Sequence, residues 1–110
     1  GNWCFKDGVV SLQEILELMK ECKVKKGIWI YSDCSYSGNW AQKMAKCYDS
    51  ANMGVAVCAA SYPDQQAQDT DKGGKFTRYI FNKESETFEN MKWCKNDGNK
   101  LSYQRGKETI

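Results

Sequence analysis

Apolar residues recur along this chain in two different periods, and the two periods predict alternating helices and strands. Between Leu12 and Cys22 they are spaced by three and four residues, as on one face of an amphipathic helix. Unbroken apolar runs within 27–32 and 55–60 are typical of strands buried on both faces. A second helical period, over residues 39–50, separates these runs. The order helix, strand, helix, strand predicts a parallel α/β sheet with helices packed on both faces.

Capping and turn residues mark the ends of these elements. Ser11 followed by Glu14 forms a capping box, so the first helix is predicted over 11–23. The second helix is predicted to end at Asn52-Met53-Gly54, with Trp40, Met44, Cys47, Tyr48 and Ala51 on its apolar face. Turns are expected at residues 6–8 and 96–99 because glycine there follows aspartate.

The second half of the chain carries weaker patterns. Residues 61–75 are polar and predict a long loop, which would leave the sheet at the same edge as the end of strand 27–32. A short helix is predicted from Phe76, and a further helix over 84–95, where Phe88, Met91 and Cys94 are in helical period. The polar tail to Ile110 predicts no particular structure.

Length and charge exclude several function classes. A chain of 110 residues forms at most one domain. Its net charge is +2, and the one lysine cluster, Lys23, Lys25 and Lys26, fits a solvated helix end better than a phosphate-binding patch. No apolar run approaches the ~20 residues of a membrane helix. We therefore expect neither a nucleic-acid nor a membrane partner.

The cysteines argue against a metal site. None of the six is in a C-x-x-C pair and the chain has no histidine, so we expect no zinc, no other metal and no cofactor. Cys22, Cys47 and Cys58 lie in apolar patterns, where a reduced cysteine packs as a small hydrophobe. This favours a reducing compartment such as the cytoplasm, although an even count leaves disulfides open.

The segment Asp33-Cys34-Ser35-Tyr36-Ser37-Gly38 is the best candidate for a chemical site. It follows a predicted buried strand and precedes a helix, and α/β proteins place reactive groups at such turns. It offers an acid, a thiol, hydroxyls and a phenol in six positions. The simpler interpretation is that Cys34 packs at the strand end and that Ser35 and Ser37 are turn and N-cap residues.

Three stretches together resemble the caspase-like peptidases, the clan of caspases, metacaspases, paracaspases and legumain-type enzymes. They are the strand and turn ending in Asp33–Gly38, the strand end Ala59-Ala60-Ser61, and Gly73-Gly74-Lys75-Phe76-Thr77. The resemblance covers about residues 9–82. It implies a three-layer α/β sandwich, of which residues 1–110 would form the carboxyl-terminal portion.

The resemblance also implies roles for individual residues. Ser35 stands at the position of the nucleophilic cysteine, with Cys34 one residue early, and Gly38 belongs to the turn that would bind the oxyanion. Asp33 matches the carboxylate that selects Arg or Lys in metacaspase-like members. Asp64 and Gln65 lie in the substrate-side loop and are the further candidates for substrate binding.

Two departures from the family weaken the enzyme interpretation. Ser35 offers a hydroxyl instead of a thiol, and a hydroxyl needs a base to remove its proton. The family's base is a histidine, which this chain lacks. We therefore expect an inactive, caspase-like domain that acts in binding or assembly. Its partner would be the missing amino-terminal half, another polypeptide, a peptide with a basic residue, or a second copy.

Two alternatives remain. The chain would be part of an active peptidase in a Cys-to-Ser form, natural or introduced, if the histidine lies in a segment outside it. The other alternative is a small Rossmann-like ligand-binding module, which is disfavoured because no strand leads into a phosphate-binding glycine-rich turn.

Overall fold

The computed structural model describes residues 1–23, 27–82 and 91–106. The elements in chain order are β1 (Trp3–Phe5), β2 (Gly8–Val10), α1 (Leu12–Glu21), β3 (Ile28–Ser32), α2 (Gly38–Lys46), α3 (Ser50–Met53), β4 (Val55–Ala59), β5 (Asp69–Thr70), β6 (Gly73–Gly74), α4 (Lys75–Asn82), β7 (Lys92–Asp97) and β8 (Lys100–Arg105). Within these ranges no helix is long and apolar enough to cross a membrane.

The central sheet has four strands in the order β3-β4-β7-β8. β3 and β4 are parallel and in register, with Ile28 opposite Val55 and Ser32 opposite Ala59. This confirms the predicted parallel pairing. β7 runs antiparallel to both β4 and β8, so the sheet is mixed and not wholly parallel. The chain therefore folds as a mixed α/β domain.

Side chains alternate across β4 and build a separate apolar cluster on each face of the sheet. Val55, Val57 and Ala59 belong to a cluster with residues of α1 and α2, including Trp40 and Met44. On the other face, Cys58 and Ala60 pack with Phe76 of α4 and Trp93 of β7. Helices therefore cover both faces, because β4 is apolar at every position and must bury both of its sides.

The first helix confirms its capping box, whereas the second ends earlier than predicted. Ser11 Oγ accepts a hydrogen bond from the amide of Glu14 at 3.2 Å, and α1 begins at the next residue. α2 stops at Lys46, and Asp49 caps the separate helix α3 by accepting from the amide of Asn52. An Asp side chain competes with helix continuation in this way. Cys47 and Ala51, which were predicted on the apolar face of α2, are exposed. Cys22, the C-cap residue of α1, is exposed as well.

The predictions for the second half were partly wrong. The helix over 84–95 is wrong at its carboxyl end, because 92–97 is strand β7; residues 83–90 lie outside the described ranges. Trp93 and Cys94 face opposite sides of the sheet, and each is fully buried. The predicted turn at 96–99 is confirmed, and β8 beyond it was missed. The loop 61–75 contains the small β5–β6 hairpin.

The six cysteines are free and differ widely in exposure. Burial raises the pKa of the Cys58 thiol to about 11, although the charge of Lys95 lowers it in part. Burial also raises the pKa of Cys94 to about 12, with a smaller contribution from Cys58. Both thiols therefore stay protonated and shielded near neutral pH.

Native thiol labelling tests this arrangement. At pH 8 the exposed Cys4, Cys22 and Cys47 should react with iodoacetamide, because the thiolate is the reactive form and these groups meet solvent. Cys58 and Cys94 should react only after denaturation, as followed by peptide mass spectrometry. Native labelling of Cys94 as fast as that of Cys22 would contradict the buried strand β7.

Candidate functional site

The turn after β3 and the loop after β4 meet at one edge of the sheet, as the parallel order requires. The amide of Tyr36 donates to the carbonyl of Gln65 at 2.7 Å. In return, the amide of Ala67 donates to Ser35 Oγ at 3.0 Å. A Cβ added to Gly38 would lie 2.5 Å from the nitrogen of Pro63, so only glycine lets the two segments approach this closely. The site is therefore a junction of two loops.

Asp33 joins this junction to helix α4. Its Oδ2 accepts hydrogen bonds from the amide of Thr77 at 3.1 Å and from Thr77 Oγ1 at 2.5 Å. Thr77 is the third residue of α4, so the carboxylate occupies the position of an N-cap that Gly74, which lacks a side chain, cannot fill. A negative charge at a helix amino terminus also interacts favourably with the helix dipole.

The other carboxylate oxygen of Asp33 has spare acceptor capacity. Oδ1 is shielded from solvent and has no hydrogen-bond partner among the described residues. Gly74 packs directly against the carboxylate, and a Cβ added there would overlap it. A buried carboxylate oxygen without a donor is costly, so Oδ1 is the acceptor of this junction whose hydrogen bonding is unsatisfied among the described residues.

Ser35 is half-buried and acts as an acceptor for the loop. Its hydroxyl is not next to any imidazole, because the chain contains no histidine. The neighbouring amides are also engaged: Ser37 N donates to the Cys34 carbonyl at 3.2 Å, and Asn39 N donates to the Tyr36 carbonyl at 3.1 Å. The observed role of Ser35 is to hold Ala67, and the amides of Tyr36, Ser37 and Asn39 on its carboxyl-terminal side are engaged in backbone hydrogen bonds.

A cavity of about 590 Å³ opens beside Ser35. It is lined by Gly1, Asn2, Cys4, Val9, Cys34, Ser35 and Tyr36. Cys34 Sγ donates to the carbonyl of Gly1 at 3.4 Å and lies 3.6 Å from Ser32 Oγ. The amino-terminal segment therefore contacts the turn directly, an arrangement that the sequence pattern did not indicate.

The predicted N-cap role of Ser37 is corrected by the geometry. Ser37 lies before α2 but makes no side-chain cap; its buried Oγ lies 3.4 Å from Ser61 Oγ instead.

Tyr36 has a positive φ of 61°, a left-handed conformation that is uncommon for a residue with a side chain. This conformation lets its amide reach Gln65. The residues that sequence reasoning missed are Thr77 and Ala67, although Thr77 lies in the Gly-Gly-x-Phe-Thr stretch that was noted.

Asp64 and Gln65, the two predicted substrate-binding residues in the loop after β4, differ in their exposure to solvent. Asp64 is exposed to solvent. Gln65 is half-buried and lines a second cavity, of about 430 Å³, between this loop, α4 and the start of β7. The structure therefore brings Asp33, Ser35, Gly38 and Gln65 into one junction and leaves Asp64 on its outer side. Within the described residues, no group of three or more His, Cys, Asp or Glu residues is arranged to hold a metal.

Comparison of the chain with models of known protein families, with curated proteins and with solved structures found no match in any of the three.

Removing the Asp33 carboxylate should destabilise the protein. In Asp33→Ala the amide of Thr77 loses its acceptor and α4 loses its cap, which should lower the free energy of unfolding by about 1–3 kcal/mol. Asp64→Ala is the matched control, since it removes an exposed carboxylate at a cost within about 0.5 kcal/mol. Urea denaturation measures both. Equal midpoints for the two variants would show that Asp33 does not hold α4.

Proposed function

We propose that this chain is the carboxyl-terminal part of a caspase-like domain that binds a basic peptide segment and has no peptidase turnover of its own. The observation that carries the proposal is Asp33, whose carboxylate is fixed through Oδ2 while Oδ1 has no described donor. Oδ1 is shielded from solvent, so the backbone at Gly74 would have to move before a guanidinium or ammonium group supplied the missing donor and the opposite charge. The resemblance of Asp33–Gly38 to the family's nucleophile turn supports the same assignment.

The contacts of Ser35 support the part of the proposal that the chain has no peptidase turnover of its own. Acyl transfer needs a nucleophile, a base within hydrogen-bond reach and donors for the oxyanion. Ser35 Oγ already holds the amide of Ala67, and the chain has no histidine to deprotonate it. Loss of a general base typically lowers a rate by about a hundredfold to ten-thousandfold.

The second candidate is a peptidase whose base comes from another segment or chain. It is favoured by one observation, the cavity of about 590 Å³ that opens beside Ser35. A base would have to enter that cavity to reach the hydroxyl. In this case Ser35→Cys would restore the thiol that the family uses, whereas the first candidate gives Ser35 only a positioning role.

Arginine-containing peptides separate these candidates. The unaltered chain should not cleave a fluorogenic peptide with Arg at the cleavage site, yet it should bind that peptide. Replacing Arg by citrulline, which has the same shape but no charge, should weaken binding about tenfold or more. Asp33→Asn should remove this preference for Arg, and Asp64→Asn should not. Fluorescence polarisation measures the six affinities, of three proteins for two peptides.

The outcomes distinguish the two functions. Cleavage by the unaltered chain would refute the inactive proposal, and equal affinity for the Arg and citrulline peptides would refute recognition by Asp33. Cleavage only by Ser35→Cys, with the upstream half supplied, would identify the second candidate.

An assembly role is supported by the edge strand β3. β3 pairs with β4 on one side and is the outer strand of the described sheet. Trp29 is 53% exposed; its ring stacks 6.3 Å from that of Tyr31, which meets Phe81 at 5.1 Å. β3 itself contains no proline or charge that would protect it from pairing. We propose that a strand from the amino-terminal half or from a partner covers this edge.

A charged residue placed on the edge strand β3 tests the assembly role. Residues 1–110 alone should self-associate at high concentration, and Trp29→Lys should reduce this because lysine disfavours edge pairing. Leu18→Lys, which changes an exposed apolar residue on helix α1, is the matched control. Light scattering after size exclusion gives the mass of each. A monomeric unaltered chain with a sharp, cooperative melt would contradict the proposal.

A further inference from the structure

Lys92 and Arg105 place two positive charges directly opposite each other on the neighbouring strands β7 and β8. The two residues are Cα partners in the antiparallel ladder, so their side chains leave the same face of the sheet. Both are exposed, and neither side chain has a hydrogen bond or an ion pair within residues 1–23, 27–82 and 91–106. Like charges in directly opposite positions destabilise a sheet, and here no described acidic residue offsets the repulsion.

The other end of the same ladder has the opposite arrangement. There Lys100 of β8 is the Cα partner of Asp97 of β7, and both are exposed. Opposite charges in this position attract each other. The concentration of positive charge is therefore confined to the end of the hairpin at Lys92 and Arg105.

Two tyrosines lie beside the positive pair. Tyr103 is two residues before Arg105 in β8, so its side chain is on the same face. Its ring is 56% exposed and meets the ring of Tyr62 edge-on, with centroids 4.8 Å apart. Lys92 Nζ lies 6.0 Å from the centroid of Tyr62, whose hydroxyl donates to the carbonyl of Gln104 at 3.4 Å. Lys92, Arg105, Tyr103 and Tyr62 together form the β7–β8 patch.

We propose that the β7–β8 patch binds a phosphate monoester that carries an aromatic ring. Lys92 and Arg105 would donate charge-assisted hydrogen bonds to the phosphate oxygens. The anion carries nearly two negative charges at neutral pH, so it would replace the repulsion between the two cations by attraction to a shared ligand. The ring of the ligand would stack on the exposed ring of Tyr103. Neither Asp33 nor Ser35 takes part, so the proposal is independent of peptide binding.

Three small molecules separate the two parts of this ligand. Phenyl phosphate has both the phosphate and the ring, inorganic phosphate lacks the ring, and phenol lacks the phosphate. Titration of the dilute unaltered chain with phenyl phosphate should shift the NMR amide signals of residues 92–94 and 103–105. Inorganic phosphate should bind roughly threefold to tenfold more weakly because it cannot stack on a ring. Phenol should bind more weakly still, because it lacks the charge.

Variants of the patch locate the binding groups. Arg105→Gln and Lys92→Gln should each weaken binding of phenyl phosphate by roughly threefold to tenfold, since exposed charges are partly screened by solvent. Tyr103→Ala should reduce the affinity for phenyl phosphate to that for inorganic phosphate. Lys100→Gln, in the same strand but on its other face, is the matched control and should bind as the unaltered chain does.

Thermal denaturation without ligand gives a readout that a structural role would not produce. In low salt Arg105→Gln should raise the melting temperature by roughly 1–4 °C, because it removes the repulsion from Lys92. A lower melting temperature would assign Arg105 a structural role and overturn the proposal. Equal losses of affinity in Lys92→Gln and Lys100→Gln, or amide shifts confined to residues outside β7 and β8, would overturn it as well.

Two further probes identify the source of the phosphate. Tighter binding of adenosine monophosphate than of phenyl phosphate would support a nucleotide ligand. Tighter binding of N-acetyl-O-phosphotyrosinamide would support a phosphorylated tyrosine side chain. Failure of both probes to shift the signals of the β7–β8 patch would overturn the proposal.

Discussion

The carboxylate of Asp33 is the contact on which the candidate site depends. It connects two parts of the chain that are 44 residues apart, the end of β3 and the first turn of α4. That bond fixes α4 over one face of the sheet, where Phe76 packs against Trp93 with ring centroids 5.8 Å apart. A charge is acceptable in this place because the helix amides and the Thr77 hydroxyl replace part of its hydration. The packing of Phe76 on Trp93 and the hydrogen bonds of Asp33 to Thr77 therefore stabilise the same position of α4.

The hydroxyl of Ser35 has a structural role in the junction. A serine accepts the amide of Ala67 well, and this bond fixes the loop that forms one wall of the second cavity. The engaged amides of Tyr36, Ser37 and Asn39 fit the same account, because they are used to build the turn. The proposed recognition of a basic peptide would use the carboxylate of Asp33 and the fixed loop.

The first half of the fold was predictable because its signals are local. Ser11 and Glu14 mark a helix start, and the apolar runs of β3 and β4 are buried on both sides, so their order gave the parallel pair. β7 was mistaken for helix because Met91 and Cys94 are three residues apart, which fits a helix as well as a strand. The bond from Asp33 to Thr77 and the contact of Gly1 with Cys34 were not predictable, because they depend on tertiary geometry.

Amide hydrogen exchange tests the central claim, that Asp33 and Ser35 hold α4 and the loop in place, most directly. The amides of Thr77 and Ala67 should be protected in the unaltered chain. Asp33→Ala should release Thr77 selectively, and Ser35→Ala should release Ala67 selectively, while strand β4 keeps its protection. Rapid exchange of both amides in the unaltered chain would contradict the account, and so would protection that neither substitution changes.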